Sequence, residues 1–235
     1  MKLSITILVT SCIVAFVCFI SCTKESSNPV TRSFEVAGFN KIMAGDDHEI
    51  IIKKGNVFSV QAKGETSDLD DLRVTVNDET LKIMYPYYES NRKRVHILIT
   101  MPELLGVEFS GASFGTVSGF QQGVNFTVNL TGNSNFNITT HALLIDTDVS
   151  GTASLTLNGT ATSVIANVSG QAKYSGYGLT ATDNAVIKAS GQAQANVTVD
   201  KVFKVNASGE SKVYYKGNPV SKNITVTSLA KLIKE

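Results

Sequence analysis

Acidic side chains are the first candidates for chemistry, because paired carboxylates cleave glycosidic bonds and bind Ca²⁺. From Gly106 onward the acids are scattered: Glu108, Asp146, Asp148, Asp183, Asp200, Glu210 and Glu235. Asp146 and Asp148 are paired, and their i, i+2 spacing places them on one face of a strand. A weak Ca²⁺ contact is compatible with this pair, but two solvated carboxylates are favoured. No arginine follows Arg94, so an enzyme that clamps uronate carboxylates lacks its usual residue.

The other reactive residue types do not form a recognisable motif. His48, His96 and His141 are too far apart in sequence to indicate a zinc site, and no cysteine follows Cys22. Serines are abundant, but no G-x-S-x-G nucleophile motif occurs. We therefore expect no catalytic residues, no metal and no cofactor.

The segment YPYYESNRKR, residues 85–94, contains three tyrosines followed by three basic residues. Tyrosine rings stack on sugars, and cations hold acidic glycans or lipid head groups. A long hairpin loop with solubilising charge is the alternative explanation. The residues of this candidate glycan contact are Tyr85, Tyr87, Tyr88, Arg92, Lys93 and Arg94.

The first residues of the chain predict export. Residues 3–21 are uncharged and apolar after Lys2, which is typical of a signal peptide over residues 1–21. The sequence Phe19-Ile20-Ser21-Cys22 resembles a bacterial lipobox, with phenylalanine where leucine is usual. We expect lipid attachment at Cys22, followed by a polar tether over residues 22–33. An uncleaved membrane anchor and plain secretion are the alternatives.

This prediction places the protein in the bacterial cell envelope. An N-terminal lipid would anchor it to the outer membrane, on the cell-surface or the periplasmic side. The three cysteines are Cys12, Cys18 and Cys22, and the first two would leave with the signal. No disulfide would remain, so the folded part must be stable through burial and hydrogen bonding.

A repeat of about twenty residues dominates the second half of the chain. Its glycines are Gly111, Gly132, Gly151, Gly170, Gly191 and Gly209. Apolar residues lie two positions before each glycine, small residues two positions after it, and mostly polar residues between. Because side chains alternate across a strand, these columns predict a coil with an apolar interior and a polar outside. Residues 107–227 are therefore predicted to form a parallel β-helix, or β-solenoid, right-handed as parallel crossovers usually are.

The flanking regions follow other patterns. Residues 34–106 carry more charge than the repeat, and their apolar and polar residues alternate clearly. This pattern predicts antiparallel strands that cap the solenoid or merge with it. Within them, LRVTVNDETLKIMY reads as a hairpin with Asn77 and Asp78 in its turn. Residues 228–235 are expected to be a tail or a short helix. The predicted fold class is all-β.

Net charge excludes one class of partner. The 235 residues hold 21 Lys and Arg against 20 Asp and Glu, and without residues 1–21 the balance is zero, because that segment holds only Lys2. Long-range attraction of nucleic acid is therefore not expected.

The order of these motifs resembles one bacterial family. FEVAGFNKIMAGDDHEIIIKKGNVFSVQAKGE, the hairpin, ITMPELLGVEFSGAS and the recurring SG motifs are similar to the family called putative auto-transporter adhesin, head GIN domain. The resemblance covers nearly all of the chain from about Phe34. It implies a β-helical exported protein with an adhesin-like role, and it supplies no catalytic residues.

The resulting functional prediction is a tethered, non-catalytic binding module. Its extended polar solenoid surface would recognise a polysaccharide or a protein on a surface. A polysaccharide lyase or hydrolase built on a β-helix is the first alternative, since solenoids support that chemistry elsewhere. An envelope scaffold is the second.

Overall fold

The structure is a computed structural model that describes residues 28–121 and 123–235. The predicted signal and Cys22 lie outside the described residues. Strands account for 63% of what is described and helix for 3%. No helix within the described residues is long and apolar enough to cross a bilayer.

The N-terminal elements run as far as the first glycine of the repeat. They are β1 (Val30–Phe34), β2 (Lys41–Ala44), β3 (His48–Lys54), β4 (Ser59–Gly64), α1 (Thr66–Asp71), β5 (Arg73–Asn77), β6 (Thr80–Met84), β7 (Val95–Met101) and β8 (Gly106–Phe109).

In the described residues of the repeat and the C-terminus, the regular elements are strands joined by turns, without a helix. They are β9 (Phe114–Gln121), β10 (Asn125–Leu130), β11 (Asn135–Val149), β12 (Ser154–Val168), β13 (Lys173–Ala189), β14 (Gln194–Val199), β15 (Val202–Ala207), β16 (Lys212–Lys216), β17 (Ser221–Val226) and β18 (Lys231–Lys234).

Parallel pairing arranges these strands in two stacks, which form the two walls of a β-solenoid. The first stack runs β6, β2, β8, β10, β11, β12, β13, β15 and β17. The second stack runs β7, β3, β9, β11, β12, β13, β14, β16 and β18. The long strands β11, β12 and β13 belong to both, with their first half in the second stack. This confirms the predicted solenoid.

The predicted row of glycines is present at one bend of the solenoid. All six glycines have φ between +68° and +75°, the left-handed region that favours glycine. A Cβ added at Gly151 would lie 2.7 Å from the carbonyl oxygen of Gly132 in the preceding coil. The same carbonyl accepts a hydrogen bond from the backbone N–H of Thr152 at 2.8 Å. Glycine is therefore required both by backbone conformation and by the close approach of successive coils.

Side chains pointing inward form the core. Phe109 and Phe136 are fully buried and stack with ring centroids 3.9 Å apart. The small residues two positions after the glycines are also buried, and the hydroxyls of Ser113 and Ser134 donate to backbone carbonyls three residues earlier. These hydroxyls satisfy backbone groups at the bend, which is what polar groups in a buried position require.

The strand pairing of residues 34–106 is partly antiparallel and partly parallel, whereas only antiparallel pairing was predicted. Antiparallel pairs join β1 to β4, β4 to β7 and β5 to β6. However, β2 and β3 lie in the parallel stacks, between β6–β7 on one side and β8–β9 on the other. The coil formed by β6 and β7 thus stacks outside a coil that precedes it in the chain. Alternation along a strand reports burial and cannot report this order of stacking.

The hairpin is confirmed, but its turn residues are Asp78 and Glu79, because Asn77, which was predicted in the turn, is the last residue of β5 and pairs with Thr80. Asp78 and Glu79 both have positive φ, 48° and 57°, as in the type I′ turns that match the twist of two-residue hairpins. β5 of this hairpin pairs outside β6, and β4 followed by β1 pairs outside β7, so antiparallel strands cover the N-terminal end of both stacks.

The C-terminal prediction of a tail or short helix is wrong, because Lys231–Lys234 forms β18. This strand pairs parallel with β16 in the same register as the earlier coils. The backbone N–H groups of Leu229 and Lys231 donate to carbonyls of Gly209 and Ser211, so the bend repeats once more. Parallel pairing to an open edge outweighs the weak helical tendency of so short a segment. β17 remains exposed along its whole length.

Candidate functional site

The segment of residues 85–94 links β6 to β7, and we call it the tyrosine loop. In the neighbouring coil the equivalent link is three residues long, Gly45–Asp47, between β2 and β3. The longer loop stands over this tight bend, and the backbone N–H of Tyr85 donates to Asp46 Oδ2 at 3.1 Å. A cleft of about 560 Å³ lies between the loop and the bends at 46–47 and 110–112.

The three predicted tyrosines have different environments. Tyr87 and Tyr88 are 74% and 89% exposed. Tyr85 is partly buried, and the Arg92 guanidinium carbon lies 3.9 Å from its ring centroid. Burial raises the pKa of the Tyr85 phenol above its usual range, so the phenol is neutral. Two aromatic rings are thus free for stacking, while the third supports the loop.

The predicted cations are largely engaged within the protein. Arg92 donates to Asp71 at 3.0 Å and its side chain is only 10% exposed. Arg94 donates with two nitrogens to the two oxygens of Asp47, at 2.8 and 3.2 Å. Such paired guanidiniums fix the loop more than they attract an external anion.

Lys93 differs from the arginines, because its backbone N–H rather than its side chain is engaged. This N–H donates to Asp68 Oδ2 at 3.0 Å, which joins the loop to α1. Around the cleft, the carboxylates of Asp46, Asp47 and Glu89 face two cationic residues. The cleft therefore carries no excess of positive charge.

His48 lies beneath the loop, at the first position of β3. It is fully buried, and neither ring nitrogen has a hydrogen-bond partner among the described residues. Burial lowers the pKa of His48 to about 4, although Asp46 and Asp47 act in the opposite direction. Its ring centroid is 5.3 Å from that of Tyr85. A neutral imidazole therefore fills the space between the solenoid interior and the tyrosine loop.

Asp46 and His48 also belong to this site, although no motif in the sequence points to them. The strand register aligns Asp46 with Gly111. It also aligns His48 with Ser113, the position at which the later coils carry a small residue. Asp46 also has the positive φ of the glycine row, at 65°. The segment AGDDH corresponds to FSGAS of the first repeat, and that alignment is the signal that could have identified both residues.

The other candidates are dispersed over the molecule. Asp146 and Asp148 lie on the outer face of β11, next to polar Thr127 and Asn129 of β10. His96 Nδ1 lies 2.6 Å from Glu49, whereas His141 contacts Thr160 in a different part of the solenoid. Within the described residues, no group of three or more His, Cys, Asp and Glu side chains could hold a metal ion.

Solved structures share this architecture. A putative adhesin from Bacteroides fragilis NCTC 9343 matches 89% of this chain and 98% of its own, with 21% identity and a TM-score of 0.82. A putative lipid binding protein from Parabacteroides distasonis ATCC 8503 has 16% identity, the same coverages and a TM-score of 0.68. A putative adhesin from the same organism has 18% identity, again with 89% and 98% coverage, and a TM-score of 0.65. At these identities the likeness establishes the fold.

No curated protein matches the chain. A family model does match it, over residues 38–219, which include every strand from β2 to β16 and the tyrosine loop. The family and the adhesins among the solved structures are named for adhesion and not for an enzymatic activity. The chain therefore belongs to the family described as putative auto-transporter adhesin, head GIN domain.

Proposed function

We propose that this protein is a lipid-anchored, non-catalytic binding module of the bacterial outer membrane that recognises glycans at the tyrosine loop. The observation that carries the proposal is the pair of exposed rings, Tyr87 and Tyr88, above a cleft held by buried and paired side chains. Aromatic rings fixed on a rigid support stack on the apolar faces of sugars with little loss of conformational entropy.

Neutral sugars suit this cleft better than acidic ones. Arg92 and Arg94 already have carboxylate partners, and the lining includes three acidic side chains. A uronate brought into the cleft would meet these carboxylates at short range, where like charges repel. The ligand class favoured by the site is thus a neutral surface polysaccharide, which refines the mixed aromatic and cationic contact expected from sequence.

The position of the N-terminus supports anchoring at one end. The described chain enters through β1, an outer strand that covers the N-terminal end of the stacks. A tether attached at Cys22 would hold this end towards the membrane and leave the solenoid walls accessible. Replacement of Cys22 with serine should abolish incorporation of radiolabelled fatty acid and release the protein from the membrane fraction. Unchanged lipid labelling would contradict anchoring at this residue.

A glycan array tests the binding site directly. The full-length chain, purified in detergent, is compared with the double variant Tyr87→Ala/Tyr88→Ala. Loss of two stacking contacts should weaken binding to neutral glycans by about tenfold. Tyr214→Ala, which removes a partly exposed tyrosine of β16 on the distant part of the solenoid, is the matched control and should bind as the unchanged protein does.

Two results would refute the proposal. Equal binding by the double variant would exclude the tyrosine loop as the glycan site. Release of shortened or unsaturated products from a bound glycan would show catalysis and would favour the lyase or hydrolase alternative.

A further inference from the structure

The near-zero net charge of the chain conceals a strong separation of charge along the solenoid. Residues 28–149 carry 10 basic and 15 acidic side chains, whereas residues 150–235 carry 9 lysines and 4 acidic side chains. The two parts therefore have net charges of −5 and +5. Because coils from β8 onward stack in chain order, this division becomes an electric dipole along the axis.

Three lysines of the positive part share one outward column of the second stack, and we call them the lysine row. The register aligns Lys173 with Gln194, Gln194 with Lys212, and Lys212 with Lys231. Since neighbouring strands lie about 4.8 Å apart, Lys212 and Lys231 are adjacent and Lys173 is about 10 Å further along. None of these three lysines has an ion-pair partner among the described residues. Adjacent like charges repel, so the row has a positive potential, which the one carboxylate nearby, that of Glu210, offsets only in part.

A cleft of about 500 Å³ lies at the C-terminal end of the lysine row. Lys212 and Lys231 line it together with Gln192, Gln194, Glu210 and Leu229. The single carboxylate accepts a hydrogen bond from Gln192 Nε2 at 3.1 Å. Leu229 is 70% exposed and offers an apolar contact beside the two ammonium groups. Cations, amide donors and an apolar side chain in one groove match an acidic sugar, which has a charged substituent and an apolar ring face.

We propose that the lysine row is a second binding surface, for an anionic polysaccharide bearing carboxylate or sulfate groups. Because the lysines lie in one column of successive coils, their charges follow the solenoid axis. An extended polymer with regularly spaced anionic groups could lie along this column. Lysine ammonium groups act as point charges without the fixed geometry of arginine, so recognition depends on charge density and not on one anion shape. This surface is separate from the tyrosine loop, because the two lie in oppositely charged parts of the molecule. Anionic polysaccharide binding at the lysine row does not require glycan binding at that loop.

The test uses the full-length chain in detergent with three immobilised polymers: polygalacturonate, dextran sulfate and uncharged dextran. Binding to the two anionic polymers should exceed binding to dextran and should fall steeply as salt rises, since exposed charges are screened. The variant Lys212→Gln/Lys231→Gln should bind the anionic polymers at least about fivefold more weakly. Circular dichroism checks that both stacks remain folded.

Lys188→Gln/Lys204→Gln is the matched control. It removes the same charge from exposed lysines on the outer face of the first stack. Its affinity should change less than about twofold, and an equal loss would mean that net charge alone drives binding.

Vesicles rich in anionic phospholipid and double-stranded DNA serve as competing polyanions. Tighter binding to either of them than to the anionic polysaccharides would overturn the proposal in favour of a lipid or nucleic-acid partner. No binding to any anionic polymer would overturn it as well. Loss of neutral-glycan binding in the lysine variant with retained polygalacturonate binding would refute the separation of the two surfaces.

Discussion

Substitution of a glycine in the row measures how closely the coils approach each other. In Gly151→Ala the new Cβ would lie 2.7 Å from the carbonyl oxygen of Gly132, whereas ordinary contacts begin near 3.4 Å. The coils must separate locally by about 0.7 Å, which would lengthen the 2.8 Å hydrogen bond from Thr152 N–H to about 3.5 Å. At that distance the hydrogen bond is lost.

The expected cost has two parts. A left-handed backbone conformation costs alanine about 1 to 2 kcal/mol relative to glycine. Loss of a backbone hydrogen bond, with the strain of moving a packed coil, adds about 1 to 2 kcal/mol. Gly151→Ala should therefore reduce the free energy of unfolding by about 3 kcal/mol.

Gly38→Ala is the matched control for the backbone term. Gly38 has φ of +73°, close to the +75° of Gly151, but an added Cβ would meet nothing within 4 Å. This variant should lose about 1 to 2 kcal/mol. The free energy of unfolding of both variants is measured by urea denaturation, monitored by far-ultraviolet circular dichroism. If Gly151→Ala is no less stable than Gly38→Ala, the coils are not held at the proposed contact distance.

Two further predictions concern the ends of the solenoid. His48 has a pKa of about 4 in the folded protein and about 6.5 when unfolded, so between these values the unfolded chain binds the extra proton. Stability should be unaffected by His48 above pH 6.5 and should fall by about 3 kcal/mol as the pH drops to 4. His48→Ser should remove most of this fall in urea midpoints measured at pH 7 and pH 4; an undiminished fall would show that other groups cause it. At the opposite end, Lys222 and Lys234 occupy positions that align with buried Phe203 and Tyr215 of the preceding coil. Inward-pointing charges protect an open edge from pairing with other chains, so Lys222→Val/Lys234→Leu should associate with rising concentration in light scattering. Lys188→Gln/Lys204→Gln should remain unassociated, and an unassociated Lys222→Val/Lys234→Leu would exclude this protective role.

The repeat could be predicted from sequence because each of its signals has a local physical cause. A left-handed bend requires glycine, and alternation across a strand separates buried from exposed positions. Columns such as Phe109 and Leu130 therefore identified the coil interior before any contact was known. Asp46, which has the same conformation at the same bend, was missed because aspartate does not signal a positive φ as strongly as glycine does.

The tyrosine loop shows where sequence reasoning stops. Its residues were identified as a candidate contact, but the partners of Arg94 and Arg92 are Asp47 and Asp71, which lie 47 and 21 residues away. Ion pairs between residues so far apart produce no periodic pattern in the sequence. The same limit applies to β18, where four residues gain their conformation from the edge of β16.

The amino-acid sequence by itself determined the all-β class, the coil period, the row of glycines and the hairpin, because each depends on φ preferences or on side-chain alternation within a few residues. The tertiary structure decided that β6 and β7 stack outside β2 and β3, that two arginines of the tyrosine loop are neutralised within the protein, and that opposite charges lie at opposite ends of one axis. These features depend on which distant segments pair, and pairing is chosen by the total burial and hydrogen bonding of the folded chain.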